Sequence, residues 1–483
     1  MKSINTYIQL LLAALMLTIS AASCNKYLNI PPEGLIPVEG AYKDVPAINA
    51  RLNSIYIGLA HNSLYGRNMT MSTLETLGQR FNLNFENELY QLSLYNYADK
   101  ESLRIMDNIW STAYSNIFNI NEFIASLDMY YLQAGLSTAQ RDIYAGEAIA
   151  ARAFIHFDLL RLFGPVYAVD SLNTAIAYNA NTETVVKELL PANELIKAVI
   201  ADLKLAEGLL AQDPIIHEGV MPETTIAGNN FMRRRNYRFN YFAVKALQAR
   251  VHLYRQDKVS AHLAAMELIK VAEIFPWTTV RNAISDKQNP DRVYSTEMIM
   301  GVLNSNLYSN FTRYFSPSLT DKEILSSNPS RVVSWFEGNE HDYRYLPQWV
   351  TPTDGSKTYP TNIKFQDIND NTKPYRFTIP LIKLSEMYLI AAETAADPAS
   401  ALAYLNILRN KRGIVNLDGQ VNLSTELLKE YRKEFFGEGQ LFFFYKRKNV
   451  SSIPNGALNS GNISMSSNTY KVPLPISETF PRQ

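Results

Sequence analysis

The stretch AGEAIAARAFIHFDLLRLFGP, residues 145–165, restricts the fold more than any other part of the chain. Placed on a helix at about 100° per residue, Glu147, Asp158 and Arg161 gather on one side, while Arg152 and His156 stand opposite. A helix with two narrow polar faces instead of one broad face belongs between neighbours, not on a surface. Ala148, Ala150, Ala151 and Ala153 let those neighbours come close, and Gly164 followed by Pro165 supplies the stop. His156 then reads as a buried or half-buried histidine paired within the scaffold.

Helical spacing of apolar residues recurs over Val45 to Ala60, Leu103 to Leu127, Thr138 to Phe163 and Ala192 to Leu210. Two further pairs read as helical hairpins: Tyr241 to Arg255 with Val259 to Ile274, and Leu381 to Ala395 with Ala399 to Arg412. Each pair spans about the 34 residues of a tetratricopeptide unit. With 47% hydrophobic and 19% charged residues, the chain can bury a large core and is neither disordered nor a membrane bundle. Sheet content is minor, and Glu297 to Leu303 reads as a short strand. Between the helices lie long irregular stretches, roughly Tyr65 to Lys100, Asp213 to Arg238, Ser305 to Lys373 and Ser451 to Gln483. Loops of that length are uncommon without a function.

The first residues carry a different message. Met1 and Lys2 give a short positive start, and Tyr7 to Ile19 an apolar run too short for a comfortable membrane span. Residues 1–23 therefore read as a secretory signal peptide. The small residues Ala21, Ala22 and Ser23 lead directly into Cys24, the one cysteine among 483 residues. This segment resembles a bacterial lipobox, which implies cleavage before Cys24 and acylation there. An acylated Cys24 leaves no thiol for a disulfide, a zinc site or a nucleophile. Residues 24–40, rich in Pro, Gly and Asn, read as an extended lipidated tether. Loss of residues 1–23 removes one charge, that of Lys2, and takes the formal net charge from +0 to −1. Nucleic acid is not an expected partner of such a chain. The basic run Arg233, Arg234, Arg235 reads as a solvated or ion-paired patch.

Several blocks resemble the SusD/RagB family of outer-membrane nutrient-binding lipoproteins. They begin with CNKYLNIPPEGLIP and continue with Trp110, Tyr114 and Asn121 in the helix Ile109 to Ile124. The helix described first matches through Glu147, Ala148, Arg152, Ala153, Phe157, Asp158, Leu159, Phe163 and Gly164. Further on come Asp342 and Arg344 in HDYRY, then Ser385, Glu386, Ala392, Glu393, Asn406, Arg409 and Gly413 across a helix pair. Glu430, Glu434, Glu438 and Gly439 follow, and YKVPLPISE closes the series. Leu441 and Phe444 stand where the family usually has Arg and Asp, which points to one altered packing interface.

The resemblance implies an all-α fold: residues 41–483 form a single domain of about four tetratricopeptide-like hairpins, with loop-rich inserts near 65–100, 213–238 and 305–373 making a variable face. It also implies an outer-membrane, lipid-anchored protein facing the cell surface, which captures an oligosaccharide and delivers it to a TonB-dependent SusC-like transporter without cutting it. A peptide-binding lid of the same kind of transporter, or a lipid-anchored helical-repeat scaffold, are the alternatives.

The residues show no enzyme constellation. HExxH, P-loop and GxSxG patterns are missing, and the six histidines have no metal spacing, so no catalytic residue, cofactor or metal is expected. DINDN, residues 367–371, copies half of a calcium loop, but Thr372 replaces the turn glycine, so a polar turn with Asx hydrogen bonds is expected. Glu337, Glu340 and Asp342 lie among aromatics, but nothing in sequence fixes a carboxylate separation of the kind glycosidases need. Sugar sites combine aromatic platforms with a few fixed polar groups. That mixture, in the region where the family often places its ligand, selects Tyr65, Arg67, Arg80, Phe81, Asn84, Tyr90, Tyr95 and Tyr97. Trp335 and Trp349 are second choices.

Overall fold

The computed structural model describes residues 38–225 and 230–482; the expected signal peptide, Cys24 and most of the expected tether lie outside the described residues. A short helical turn, Val38–Ala41, stands where the tether was expected to remain extended through residue 40.

The helical body starts with α1 (Val45–Leu59), α2 (Lys100–Tyr130), α3 (Thr138–Phe163), α4 (Ala192–Leu209), α5 (Tyr241–Tyr254) and α6 (Lys258–Lys270), each packed on the next. Their starts are written in the sequence. Asp44, Asp99, Asn240 and Asp257 accept hydrogen bonds from the first backbone N–H groups of α1, α2, α5 and α6, and Ser137 with Gln140 forms a capping box on α3. Such caps contribute about 1 kcal/mol each.

Every residue of α3 from Ile143 to Phe163 is buried, as its two polar faces predict. On one face Glu147 meets Arg235 and Arg238; on the other Arg152 makes a bidentate pair with Asp202 at 2.8 and 2.9 Å. Gly146 allows the closest contact with α4, since a Cβ there would lie 2.8 Å from Leu210 Cγ. His156 is fully buried. Its Nε2 accepts from the Asn179 N–H at 3.0 Å, so Nδ1 carries the proton and donates to the Arg152 carbonyl at 2.9 Å. Burial, with its loss of hydration, pushes the imidazole pKa down to about 3.

Strand β1 (Met298–Leu303) leads into α7 (Leu307–Tyr314), followed later by α8 (Pro329–Phe336) and strand β2 (Thr378–Lys383). The two strands pair antiparallel, Leu303 opposite Thr378 and Met298 opposite Lys383, with register shifts near Met300. Asn304 N–H donates to the Phe377 carbonyl at 2.8 Å and closes the 74-residue excursion, residues 304–377, between them. The helix expected from Leu381 starts three residues later because Leu381 to Lys383 are taken by β2. The chain then adds α9 (Leu384–Thr394), which packs on α6, and α10 (Pro398–Lys411), α11 (Leu423–Glu434) and α12 (Gln440–Arg447). This is the mostly helical architecture expected, with hairpins α3–α4, α5–α6 and α9–α10 and four small two-stranded ladders among the described residues.

A buried ionic network fastens the irregular face to the helices. Arg412 lies 2.7 Å from both Glu297 and Glu434, and Arg344 lies 2.7 Å from Asp342 and 2.8 Å from Glu430. Lys383 reaches Glu434 at 3.0 Å and Glu438 at 2.8 Å, and Lys364 reaches Glu438 at 2.6 Å. Asp342 and Arg344 thus form a structural turn, and Asp342 is committed to a cation. Leu441 and Phe444 are buried, with the Phe444 ring 4.4 Å from that of Tyr431, an apolar contact where the family more often has a charge pair. In DINDN, Asp370 accepts from Thr372 N–H at 2.9 Å and from its hydroxyl at 2.6 Å, the expected Asx turn.

Candidate ligand-binding site

The irregular face carries a solvent-open cleft of about 770 Å³ between residues 86–88 and the α7 region, residues 308–323. Helix α7 follows the i, i+3, i+4, i+7 pattern: Leu307, Asn310, Phe311 and Tyr314 face inward, leaving Ser309, Thr312 and Arg313 outward. Its inward polar groups fix its position. Asn310 Nδ2 donates to Asn62 Oδ1 at 2.8 Å and to the Gly66 carbonyl at 3.1 Å, and Arg67 donates to the Tyr314 hydroxyl.

The opposite wall is tied to the same region. Asn82 N–H donates to the Ser326 carbonyl at 2.8 Å, and Asn87 Nδ2 donates to the Lys322 and Glu323 carbonyls at 3.1 and 3.2 Å. Lys322 and Glu86 form an ion pair across the rim. Thr320 donates twice to Glu323, from its N–H at 3.1 Å and its hydroxyl at 2.8 Å, and these bonds hold the Glu323 carboxyl below its usual range. That group is an anionic acceptor at neutral pH, not a proton donor. Arg313 Nε donates to the Tyr314 hydroxyl at 3.2 Å. Tyr308 presents a half-buried ring whose hydroxyl accepts from Phe377 N–H at 3.2 Å, and Phe85, which precedes the wall residue Glu86 in the chain, is 72% exposed. The cleft thus offers aromatic faces, a guanidinium, amides and carboxylates to a polyhydroxylated ligand.

The residues selected from sequence are distributed differently. Tyr65, Arg80, Phe81, Trp335 and Trp349 are all buried, which corrects the expectation that they face a ligand. Tyr65 packs 4.9 Å from Phe154 of α3. Arg80 lies 3.2 Å from Glu75 and 5.0 Å from the Trp335 ring, and burial lowers its pKa to about 10. Phe81 rests against Phe315 and Phe436, and Trp349 packs 4.7 Å from Phe436. A loop so rich in apolar side chains is more stable with them buried, at about 1.5–3 kcal/mol per large side chain, than exposed in a binding surface. Tyr95 and Tyr97 are half-buried and donate to the Leu77 and Thr469 carbonyls, both at 2.8 Å. Tyr90 packs against the core. Asn84 and Arg67 adjoin the cleft in supporting roles: Asn84 Oδ1 accepts from Glu86 N–H at 3.0 Å, and Arg67 supports Tyr314 from behind. Tyr308, Arg313 and Asn87 lie outside the residues that the sequence singles out, although the spacing LYSNFTRY carries a signal for α7. Glu337 is exposed and paired with Lys429 at 2.7 Å, apart from Asp342 in its buried network.

Comparison with known proteins places this geometry in context. A family model described as "Starch-binding associating with outer membrane" matches residues 27–222, and the SusD family model matches residues 240–472. SusD-like protein P38 of Formosa agariphila is 24% identical over 409 residues, covering 72% of this chain and 74% of that protein. SusD-like protein P25 of the same organism is 21% identical over 472 residues, covering 84% and 82%. Among solved structures, a SusD superfamily protein from Bacteroides thetaiotaomicron aligns with a TM-score of 0.67 at 21% identity over 90% of this chain and 98% of that one. Surface glycan-binding protein A from Bacteroides uniformis aligns with a TM-score of 0.66 at 17% identity over 90% and 97%. With two matched models that together run from residue 27 to residue 472, the chain belongs to the SusD/RagB family, which is associated with the outer membrane.

Proposed function

We propose that the protein binds an oligosaccharide in the α7 cleft and passes it, uncut, to a TonB-dependent SusC-like transporter while anchored to the outer membrane through Cys24. The observation that carries this reading is the cleft itself, which joins the Tyr308 ring face to Arg313, Asn87 and Glu323 in one open space of about 770 Å³. Sugars need that combination of flat apolar contact and directional polar groups. The starch-binding description of the matched family and the glycan-binding title of a structural neighbour support the ligand class. A binding role also agrees with the carboxylates on this face: Glu323 is held anionic by Thr320, and Asp342 is locked to Arg344.

The test is affinity measurement against amylopectin, xylan, laminarin and pectin, with product analysis after long incubation. Wild type binds at least one polysaccharide and leaves it intact, and Tyr308→Ala and Arg313→Ala each weaken binding about tenfold, as expected for truncating a central contact. Unchanged affinity in both variants would remove the cleft from consideration. Released sugars would overturn the non-catalytic role.

A further inference from the structure

Beyond the α7 cleft lies a second concavity, a trough of about 870 Å³ walled by residues 217–223 and 371–374 together with Arg234, Tyr237, Pro276 and Phe377. Each cavity alone has the volume of a complete small-ligand site. They are separated by the thickness of one ring pair. Tyr308 lines the cleft and Phe377 lines the trough, with ring centroids 4.7 Å apart. The Arg376 guanidinium sits 5.3 Å from the first ring and 4.9 Å from the second, and is held there by Asp367 at 2.6 Å.

Two residues that frame the trough hold unfavourable backbone. Phe377 has φ +60° and Arg234 has φ +47°, a region that side chains other than glycine and asparagine rarely occupy. Strain of this kind persists where surrounding contacts over-determine it, and it gathers at functional positions. At Arg234 those contacts are visible. Its guanidinium lies 4.3 Å over the Tyr237 ring and spans the trough walls, from Glu223 at 2.8 Å to the Pro374 carbonyl at 2.6 Å. Asn236, 7% exposed, also lines the trough, and its amide oxygen makes no hydrogen bond within the protein. A buried acceptor left without a protein partner has a lone pair free for a donor, and a ligand hydroxyl is such a donor.

The geometry points to the trough as a second saccharide subsite, continuous with the cleft over the Tyr308–Phe377 ridge, so that the ligand is a sugar chain long enough to occupy both. The two ring faces and the Arg376 edge supply a stacking step midway, and the Asn236 amide a fixed acceptor in the trough wall. This inference rests on the proposed glycan binding in the cleft.

Isothermal titration with maltose-, xylose- and laminaribiose-based series from di- to octasaccharide tests it in wild type, Phe377→Gly and Asn236→Ala. In a series that binds, affinity rises at least tenfold from trisaccharide to octasaccharide. Asn236→Ala weakens octasaccharide binding about tenfold and leaves trisaccharide binding within twofold, and Phe377→Gly weakens octasaccharide binding more than trisaccharide binding. Thermal melts of Phe377→Gly confirm that the variant is folded, since glycine relieves the positive φ and offsets part of the packing lost with the ring. The subsite is overturned if trisaccharide and octasaccharide bind equally in wild type, or if both variants bind octasaccharide like wild type. Failure of every series to bind wild type overturns the glycan reading as well, so the two failures are told apart.

Discussion

Replacing Asp291 by asparagine should stabilise the protein at neutral pH and do nothing in acid. The Asp291 side chain is 1% exposed. Its Oδ2 accepts from Ser295 N–H at 2.9 Å and from the Ser295 hydroxyl at 2.8 Å, and no Lys or Arg among the described residues pairs with it. Burial, with a smaller push from the negative charge of Glu297, raises its pKa from 3.8 to about 6. The native state therefore holds this proton more tightly than the unfolded chain does. The sign follows: the carboxyl's favourable contribution is fully present below pH 3.8 and is lost as pH rises through about 6. Converted at 1.36 kcal/mol per tenfold change in proton affinity, the anion costs about 3 kcal/mol at pH 7.5 as an upper estimate. Asparagine keeps an oxygen for the Ser295 N–H and never ionises. Asp291→Asn should gain about 1–3 kcal/mol at pH 7.5, with the gain falling to about a third of that at pH 4.5 and vanishing below pH 3.8. Urea unfolding of both proteins at pH 4.5, 6 and 7.5 measures it. A difference that does not vary with pH, or a loss of stability at pH 7.5, would refute the reasoning.

Other perturbations address the network and the anchor. Arg412→Met leaves Glu297 and Glu434 facing each other without their shared cation; about 3–5 kcal/mol should be lost in urea unfolding. The loss should shrink in strong acid, because its cationic partners, Arg412 first, hold Glu434 well below the usual carboxylate range. Cys24→Ser should abolish incorporation of a labelled fatty acid and move the protein from the membrane to the soluble fraction, which cell fractionation and autoradiography would show.

What sequence could disclose differs between the two halves of the molecule. Helix boundaries came within a few residues because their causes are local: Asp44, Asp99, Ser137 and Asp257 each cap a helix start, and α3 carries its interior position in its own pattern. The irregular face is hidden from sequence because side-chain exposure there depends on contacts far along the chain. Arg80 and Tyr65 look like ligand contacts until Glu75, Trp335 and Phe154 close around them. Conversely, Phe85 and Phe81 are four residues apart with similar neighbours in sequence, yet one is 72% exposed and the other 3%. The strained backbones of Arg234 and Phe377 have no sequence signature at all, since neither is the glycine or asparagine that announces a positive φ.

The bond between Asn304 and Phe377 has a consequence for how this face can change. Because it pins both ends of the long excursion beside a strand pair, the stretch it encloses behaves as a cassette with fixed terminals. Its inner length can grow or shrink at small entropic expense, about 0.6 kcal/mol per doubling. Specificity could be exchanged between relatives by transplanting that cassette whole, provided the incoming piece keeps partners equivalent to Asp342, Arg344 and Lys364 to lock it onto the helices beneath.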